Sequence, residues 1–360
     1  MASGRALRWG VVATGLIARR VVAQLVRLDD AVLQAVSSRA GARARAFADE
    51  HGAPTAYGDA GGEPGFQRLA ADPDVEVVYV ATPHGQHHAV TRALLEAGKH
   101  VLVEKAFTVT GGEAEDLIAL ARSRGLFLME AVWTRFLPVY QGAVDVVASG
   151  DLGEVRWVQA DLGFPAPFDP RSRMWAPDDG GGALLDLGVY AYSWALAGLG
   201  HPRSVAAQGV VNELGVDELS ALTLAYDGGA FAQLTTTLVS HATRTATIAG
   251  SRGTLRTWAP LTNPEGFTID RPGGTRDVRF AGGAPPYAHM LREVTRCVQQ
   301  GLTESPTMPL DDTLATMRLF DEARRQMGVR YPHDERWASS ASSRGVWARQ
   351  AARPRARATR

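Results

Sequence analysis

The sequence predicts an α/β protein: a doubly wound parallel sheet followed by a second α/β unit with a mainly antiparallel sheet. Three observations predict it. Short apolar runs alternate with helix-like segments through about residue 130, and continuous apolar strands of this kind belong to parallel sheets covered on both faces. Gly180, Gly181 and Gly182 open a long helical segment, after which strand patterns dominate. Asp227-Gly228-Gly229 separates two alternating runs, which is a hairpin signal. The 360 residues fit about two domains, at roughly 100–200 residues each. Their expected bounds are 1–130 for the first and 131–335 for the second, with 336–360 a disordered basic tail.

In order, residues 7–13 read as an apolar strand, followed by Thr14-Gly15 and a helix to about Arg27. Residues 32–36 are a strand, 43–51 a helix, and 75–81 a continuous buried strand. Helix 87–97, strand 100–103, helix 113–124 and strand 126–129 complete the first unit. A helix at 138–148, a strand at 155–163 and the helix at 183–199 open the second. Strands then follow at 204–211, 218–226, 230–239, 244–249 and 253–257, with helices at 288–300 and 313–327. Beyond Trp337 the chain is rich in Ser, Ala and Arg without an acid, too poor in apolar surface to fold.

Composition narrows the function. Thirty-eight basic and thirty-eight acidic side chains cancel, whereas a nucleic-acid binder should carry a basic excess on one face; no nucleic-acid partner is expected. No run of about 18 apolar residues is present, so no membrane partner is expected either. Cys297 is the single cysteine and cannot form an intrachain disulfide, and the N-terminus lacks a signal-peptide pattern. A cytoplasmic protein is the expectation. Lys99 and Lys105 are the only lysines.

Ala13, Thr14, Gly15, Leu16 and Ile17 stand where a Rossmann phosphate loop should stand, between first strand and first helix. Such a loop needs close backbone approach to a pyrophosphate and N–H groups at a helix N-terminus. Gly15 fills the middle glycine position; Ala13 and Ala18 replace the outer two. One glycine also fits an ordinary strand–turn–helix, but the βαβ context favours a cofactor. The second strand ends in Ser37-Ser38-Arg39, with no Asp or Glu there to bind the ribose hydroxyls of NAD. Arg39 and Arg43 suit a 2′-phosphate instead, so NADP is favoured, with NAD possible. Thr82, Pro83, His84 and His87 lie past the end of the strand at 75–81 and border the same cleft. The histidines have no Cys or spaced carboxylate beside them, so contact with the nicotinamide ribose is expected and a metal is not.

Glu104 and Lys105 end the next strand, beside that cleft. In a chain that otherwise chooses arginine, a lysine here can be required as lysine. An ammonium can relay a proton and a guanidinium effectively cannot. The other lysine, Lys99, reads as a surface residue. Asp186 and Tyr190 are four apart, hence on one helical face, and costly to bury unpartnered. Lysine, aspartate and tyrosine converging near a hydride acceptor would serve alcohol oxidation.

ATGLIA, ATPHGQHH, VLVEKA and GGGALLDLGVY, in this order and spacing, resemble the glucose–fructose oxidoreductase / inositol dehydrogenase (Gfo/Idh/MocA) family over about residues 7–330. Residues 125–136 are similar to the branch that holds dimeric dihydrodiol dehydrogenase and NADP-dependent D-xylose dehydrogenases. The resemblance implies a Rossmann domain, then a domain with a large open sheet, and hydride exchange with NAD(P). It implies that Lys105 touches the reacting oxygen and Tyr190 is the acid/base. Asp186 then lines the substrate side with Trp133, Arg135 and Arg173. It also implies a homo-oligomer, dimer or tetramer. Ala13 departs from the family glycine, and Ala106 from the proline after the lysine. The expected function is oxidation or reduction of a sugar or vicinal diol. A cyclitol or keto-sugar enzyme of the same family, and a catalytically silent nucleotide-binding regulator, stay open.

Overall fold

The computed structural model describes residues 5–280 and 285–337. Strands β1 (Leu7–Val12), β2 (Ala31–Ser37), β3 (Thr55–Tyr57), β4 (Val77–Val80), β5 (His100–Val103) and β6 (Leu128–Glu130) form one sheet in the order β3-β2-β1-β4-β5-β6. Every pairing in it is parallel. Helices α1 (Leu16–Leu25), α2 (Gly41–His51), α3 (Gly65–Ala70), α4 (His84–Glu96) and α5 (Gly111–Arg124) connect the strands. All four residues of β4 are buried, as a strand covered on both faces requires. The strand order reverses between β1 and β4, so a crevice opens beyond their carboxyl ends. Residues 13–15 and 81–83 are brought together there.

Helix α6 (Pro138–Ala148) leads to β7 (Val155–Gly163), and α7 (Ala183–Leu199) to β8 (Ser204–Val211), β9 (Asp217–Ala225) and β10 (Phe231–Thr237). With β11 (Ala246–Gly250), β12 (Gly253–Thr257), β13 (Gly266–Arg271) and β14 (Gly274–Arg279), these strands make an eight-stranded sheet. Its order is β14-β13-β12-β11-β7-β10-β9-β8, antiparallel except for the β7–β10 pair. Gly228 and Gly229 have φ of +76° and +80°, which closes the β9–β10 hairpin as the Asp-Gly-Gly signal predicts. Helix α7 lies on β7, β9, β10 and β11 and is buried continuously from Ala183 to Ala197. That follows from its sequence, apolar on nearly every side. Helices α8 (Ala288–Gln299), α9 (Leu310–Met327) and α10 (Asp334–Trp337) end the described chain.

The structure differs from the sequence reading at several points. Strands β3, β13 and β14 and helix α3 carry no pattern that announces them; β14, Gly-Thr-Arg-Asp-Val-Arg, is an edge strand largely open to solvent. Helix α8 packs against α1 and the turn at Trp133–Phe136, so it reaches across to the first sheet rather than completing the second. Its apolar face of Met290, Leu291, Val294 and Cys297 is buried there. Lys99 is not a surface residue. Its side chain is buried, and Nζ donates to the carbonyls of Asp72 and Val75 at 2.6 and 2.8 Å. The tail beyond Trp337 lies outside the described residues. Among the described residues, no helix is long and apolar enough to cross a membrane.

Candidate active site

The crevice offers the groups that a dinucleotide needs. Gly15 is the N-cap of α1, no side chain caps that helix, and no acid occupies its first turn. Its free N–H groups thus face an anion position. Among the described residues, a Cβ built on Gly15 meets nothing within 4 Å, so the backbone there is open to a ligand. Ala13, at the first glycine position, has a φ of +83°, a left-handed conformation that disfavours side chains. Ser37 is buried at the end of β2, and its carbonyl accepts the Ala13 N–H at 2.9 Å. Arg39 and Arg43 are exposed just beyond it, and neither makes an ion pair among the described residues. The Thr82 hydroxyl, just past β4, is buried without a partner among the described residues. These features fit a bound NAD(P).

The catalytic candidates converge across the two sheets. Lys105 follows β5, and its Nζ donates to the Asp186 carboxylate at 3.0 Å and to the Asp186 carbonyl at 2.6 Å. Arg173 Nη1 reaches the same carboxylate oxygen at 3.0 Å. Burial pushes the Asp186 carboxyl up, but Lys105 and then Arg173 outweigh it and hold it well below the usual range. Lys105 Nζ lies 5.1 Å from the centre of the Tyr190 ring. The Tyr190 oxygen accepts the Trp133 indole N–H at 2.9 Å, which leaves the phenol's own hydrogen free to be donated. Burial, reinforced by the charge of Glu104, holds the Tyr190 phenol well above its usual pKa. Tyr190 is therefore a protonated donor at neutral pH. Buried Glu104 accepts from the Tyr79 hydroxyl at 2.6 Å, and burial raises its carboxyl.

Three expectations need correction. His84 and His87 do not offer ring nitrogens to the cleft. His84 Nδ1 and Nε2 face the carbonyls of Gly180 and Lys105 at 3.2 and 3.1 Å. His87 faces those of Ala106, Phe107 and Thr82 at 2.9, 3.2 and 2.9 Å. Burial lowers both, His84 to about 3. Neutral and turned inward, each can donate its single ring N–H to one of these carbonyls, beside the Lys105–Ala106 peptide bond, which is cis. Arg135, expected at the substrate, instead pairs with Asp312 of α9 at 2.8 Å, which engages its guanidinium. No group of three metal-ligating side chains forms among the described residues.

Sequence reasoning missed Tyr79, Tyr287, Asp217 and Tyr331. Tyr287 stacks edge-on to Trp133 with ring centres 5.1 Å apart, and its N–H donates to Gln24 of α1 at 2.8 Å. Asp217 accepts the Leu184 N–H at 2.7 Å, at the start of α7. These contacts span too much sequence to show in local pattern.

Two buried carboxyls set a pH dependence of stability. Burial pushes Glu130 and Asp217 up to about 7 from 4.5 and 3.8. Each then holds a proton when folded that it would release unfolded, so its contribution is complete at low pH and is lost as pH rises toward 7. The loss is on the order of 3–4 kcal/mol per carboxyl at most. The melting temperature should fall between about pH 4 and pH 7 and level off above. Glu130→Gln should flatten that fall, and a wild-type profile rising over the window would contradict it.

A doubly wound dinucleotide crevice facing a lysine, an ionised aspartate and a protonated tyrosine defines a nicotinamide-dependent oxidoreductase. The family model described as "Oxidoreductase family, NAD-binding Rossmann fold" matches residues 7–132, and the GFO/IDH/MocA C-terminal domain matches 140–256. The chain belongs to the GFO/IDH/MocA oxidoreductase family. It is 36% identical over 341 residues to trans-1,2-dihydrobenzene-1,2-diol dehydrogenase of Mus musculus, covering 92% of this chain and 100% of that one. The Homo sapiens enzyme of that name is 35% identical over 342 residues, with the same coverage. Among solved structures, aldose-aldose oxidoreductase from Caulobacter crescentus, complexed with glycerol, superposes with a TM-score of 0.81 at 25% identity, covering 89% of this chain and 97% of that one. KijD10, a 3-ketoreductase from Actinomadura kijaniata in complex with NADP and TDP-benzene, gives 0.78 at 28% identity, covering 90% and 98%.

Proposed function

We propose that this protein is an NADP-preferring dehydrogenase that interconverts a secondary alcohol or hemiacetal carbon of a sugar or vicinal diol with its carbonyl. The observation that carries the reading is the Tyr190 hydroxyl, whose acceptor position is filled by Trp133 beside the Lys105 ammonium. The bound nicotinamide would take or supply the hydride. Tyr190 would give its proton to the carbonyl oxygen in reduction and recover it in oxidation. Lys105 would hold that oxygen with the donor not used on Asp186 and stabilise its developing charge. Asp186, kept ionised, would fix the ammonium, and Arg173 and Trp133 would line the substrate. Gly15 with its neighbours would hold the pyrophosphate, and Arg39 and Arg43 the 2′-phosphate.

In this reading residues 1–130 bind the cofactor and 131–335 bind substrate and a second copy, in a cytoplasmic homo-oligomer. The second sheet leaves one face exposed, with Gln159, Gln208, Thr223 and Gln233 on it, and that open face supports the self-contact. The substrate class follows the names of the relatives, dihydrodiol and aldose oxidoreductases. A panel of aldoses, keto-sugars, cyclitols and vicinal diols, followed by nicotinamide absorbance with NADP and NAD, tests it. Turnover of a diol or aldose with NADP is expected. Turnover of cyclitols or keto-sugars alone would move the substrate class. NADP binding with no turnover across the panel would leave a silent nucleotide-binding protein.

A further inference from the structure

Lys105, after β5, and Asp186, in the first turn of α7, meet from distant segments, and the backbone that holds them together is gripped by side chains outside the catalytic set. The turn before α7 needs glycine: Gly180 and Gly182 have φ of +66° and +115°. Its carbonyls are taken one by one. Gly180 faces His84 Nδ1 at 3.2 Å, and Gly181 accepts the Tyr331 hydroxyl. His84 Nε2 lies 3.1 Å from the carbonyl of Lys105 itself, so one imidazole sits wedged between the two catalytic segments and, neutral, donates its single N–H to one of the two carbonyls. Helix α4 presses close: a Cβ on Gly85 would lie 2.0 Å from the Asp178 carbonyl oxygen. Tyr331 is in turn fixed, buried under the Arg324 guanidinium at 4.7 Å, and Arg324 is paired with Asp321 and Asp334.

We infer that His84 and Tyr331 are positioning residues for the reaction, setting the distance between the Lys105 ammonium and the first turn of α7. Lys105 Nζ bonds the backbone carbonyl of Asp186 as well as its carboxylate, so a shift of that turn carries the ammonium with it. A displacement of about 1 Å can cost on the order of 10²-fold in rate. The segment after α9 thereby acts on chemistry from outside the cleft.

This inference rests on the proposed dehydrogenase reading, and the experiment separates the two. His84→Leu, His84→Gln and Tyr331→Phe are compared with Lys105→Met, using the best diol or aldose of the panel. His84→Leu should lower kcat by about 10- to 100-fold and Tyr331→Phe by roughly 3- to 10-fold. KM should stay within about twofold, as should the Kd for NADPH read by fluorescence. The primary deuterium isotope effect on kcat should rise, because hydride transfer becomes slower. His84→Gln, which can still donate to one carbonyl, should recover part of the loss. A change in fold stability alone would lower active enzyme without raising the isotope effect, and that result overturns the inference. So does unchanged kcat in both His84→Leu and Tyr331→Phe. A tenfold weaker NADPH Kd in His84→Leu would return His84 to cofactor contact and also overturn it. Full turnover in Lys105→Met would take away the ammonium's role and overturn the inference as well, whereas absence of wild-type turnover across the whole panel would bring down the dehydrogenase reading beneath it.

Discussion

Lys105→Arg and Tyr190→Phe should each lower turnover by roughly 10²–10⁴-fold, the range of a positioned acid–base group, while NADP still binds. The arginine keeps the charge, so electrostatics alone would spare it. Geometry does not: Nζ sits between the Asp186 carbonyl at 2.6 Å and its carboxylate at 3.0 Å, and a planar guanidinium cannot reproduce that position with a donor left over. Tyr190→Phe keeps the ring against Lys105 and Trp133 and removes the hydroxyl, which is both the proton donor and the acceptor of the Trp133 indole N–H. Because both groups serve one oxygen, the double variant should lose less than the product of the two single losses. Steady-state rates with a confirmed substrate decide this, and near-normal rates in both single variants would remove the mechanism.

Replacing Arg39 and Arg43 together by alanine should weaken NADP binding by at least about 10²-fold and leave NAD binding nearly unchanged. Both guanidiniums are exposed beyond β2 and free of ion pairs among the described residues. A hydrogen bond to a charged group is worth about 1.5–3 kcal/mol, and 1.4 kcal/mol is tenfold in affinity. Fluorescence titration with NADPH and NADH measures both. Equal losses for the two cofactors would place the arginines elsewhere on the nucleotide, and no loss would end the NADP assignment.

Much of this was legible in residue pattern. The alternation of apolar runs and helices carries the parallel sheet, because strands buried on both faces must be apolar throughout. Lysine scarcity and the four-residue spacing of Asp186 and Tyr190 single out groups that the fold does bring together. Histidines 84 and 87 show where pattern fails. A histidine at a strand's carboxyl end reads the same whether its ring faces the cleft or the backbone, and only packing decides. Arg135 fails likewise, since its partner Asp312 is far along the chain. Tyr331 and Asp217 act on one turn from distant segments, a relation that no local spacing encodes.

The most direct measurement follows the hydride itself. The panel compound that turns over is prepared with deuterium on the carbon to be oxidised and incubated with NADP, and the reduced cofactor is examined by mass spectrometry. Hydride transfer between the substrate carbon and the nicotinamide, held by Lys105 and Tyr190, predicts one deuterium in the NADPH formed and a large rate loss in Tyr190→Phe. NADPH formed without deuterium, or label arriving at full rate in the Tyr190 variant, would contradict it.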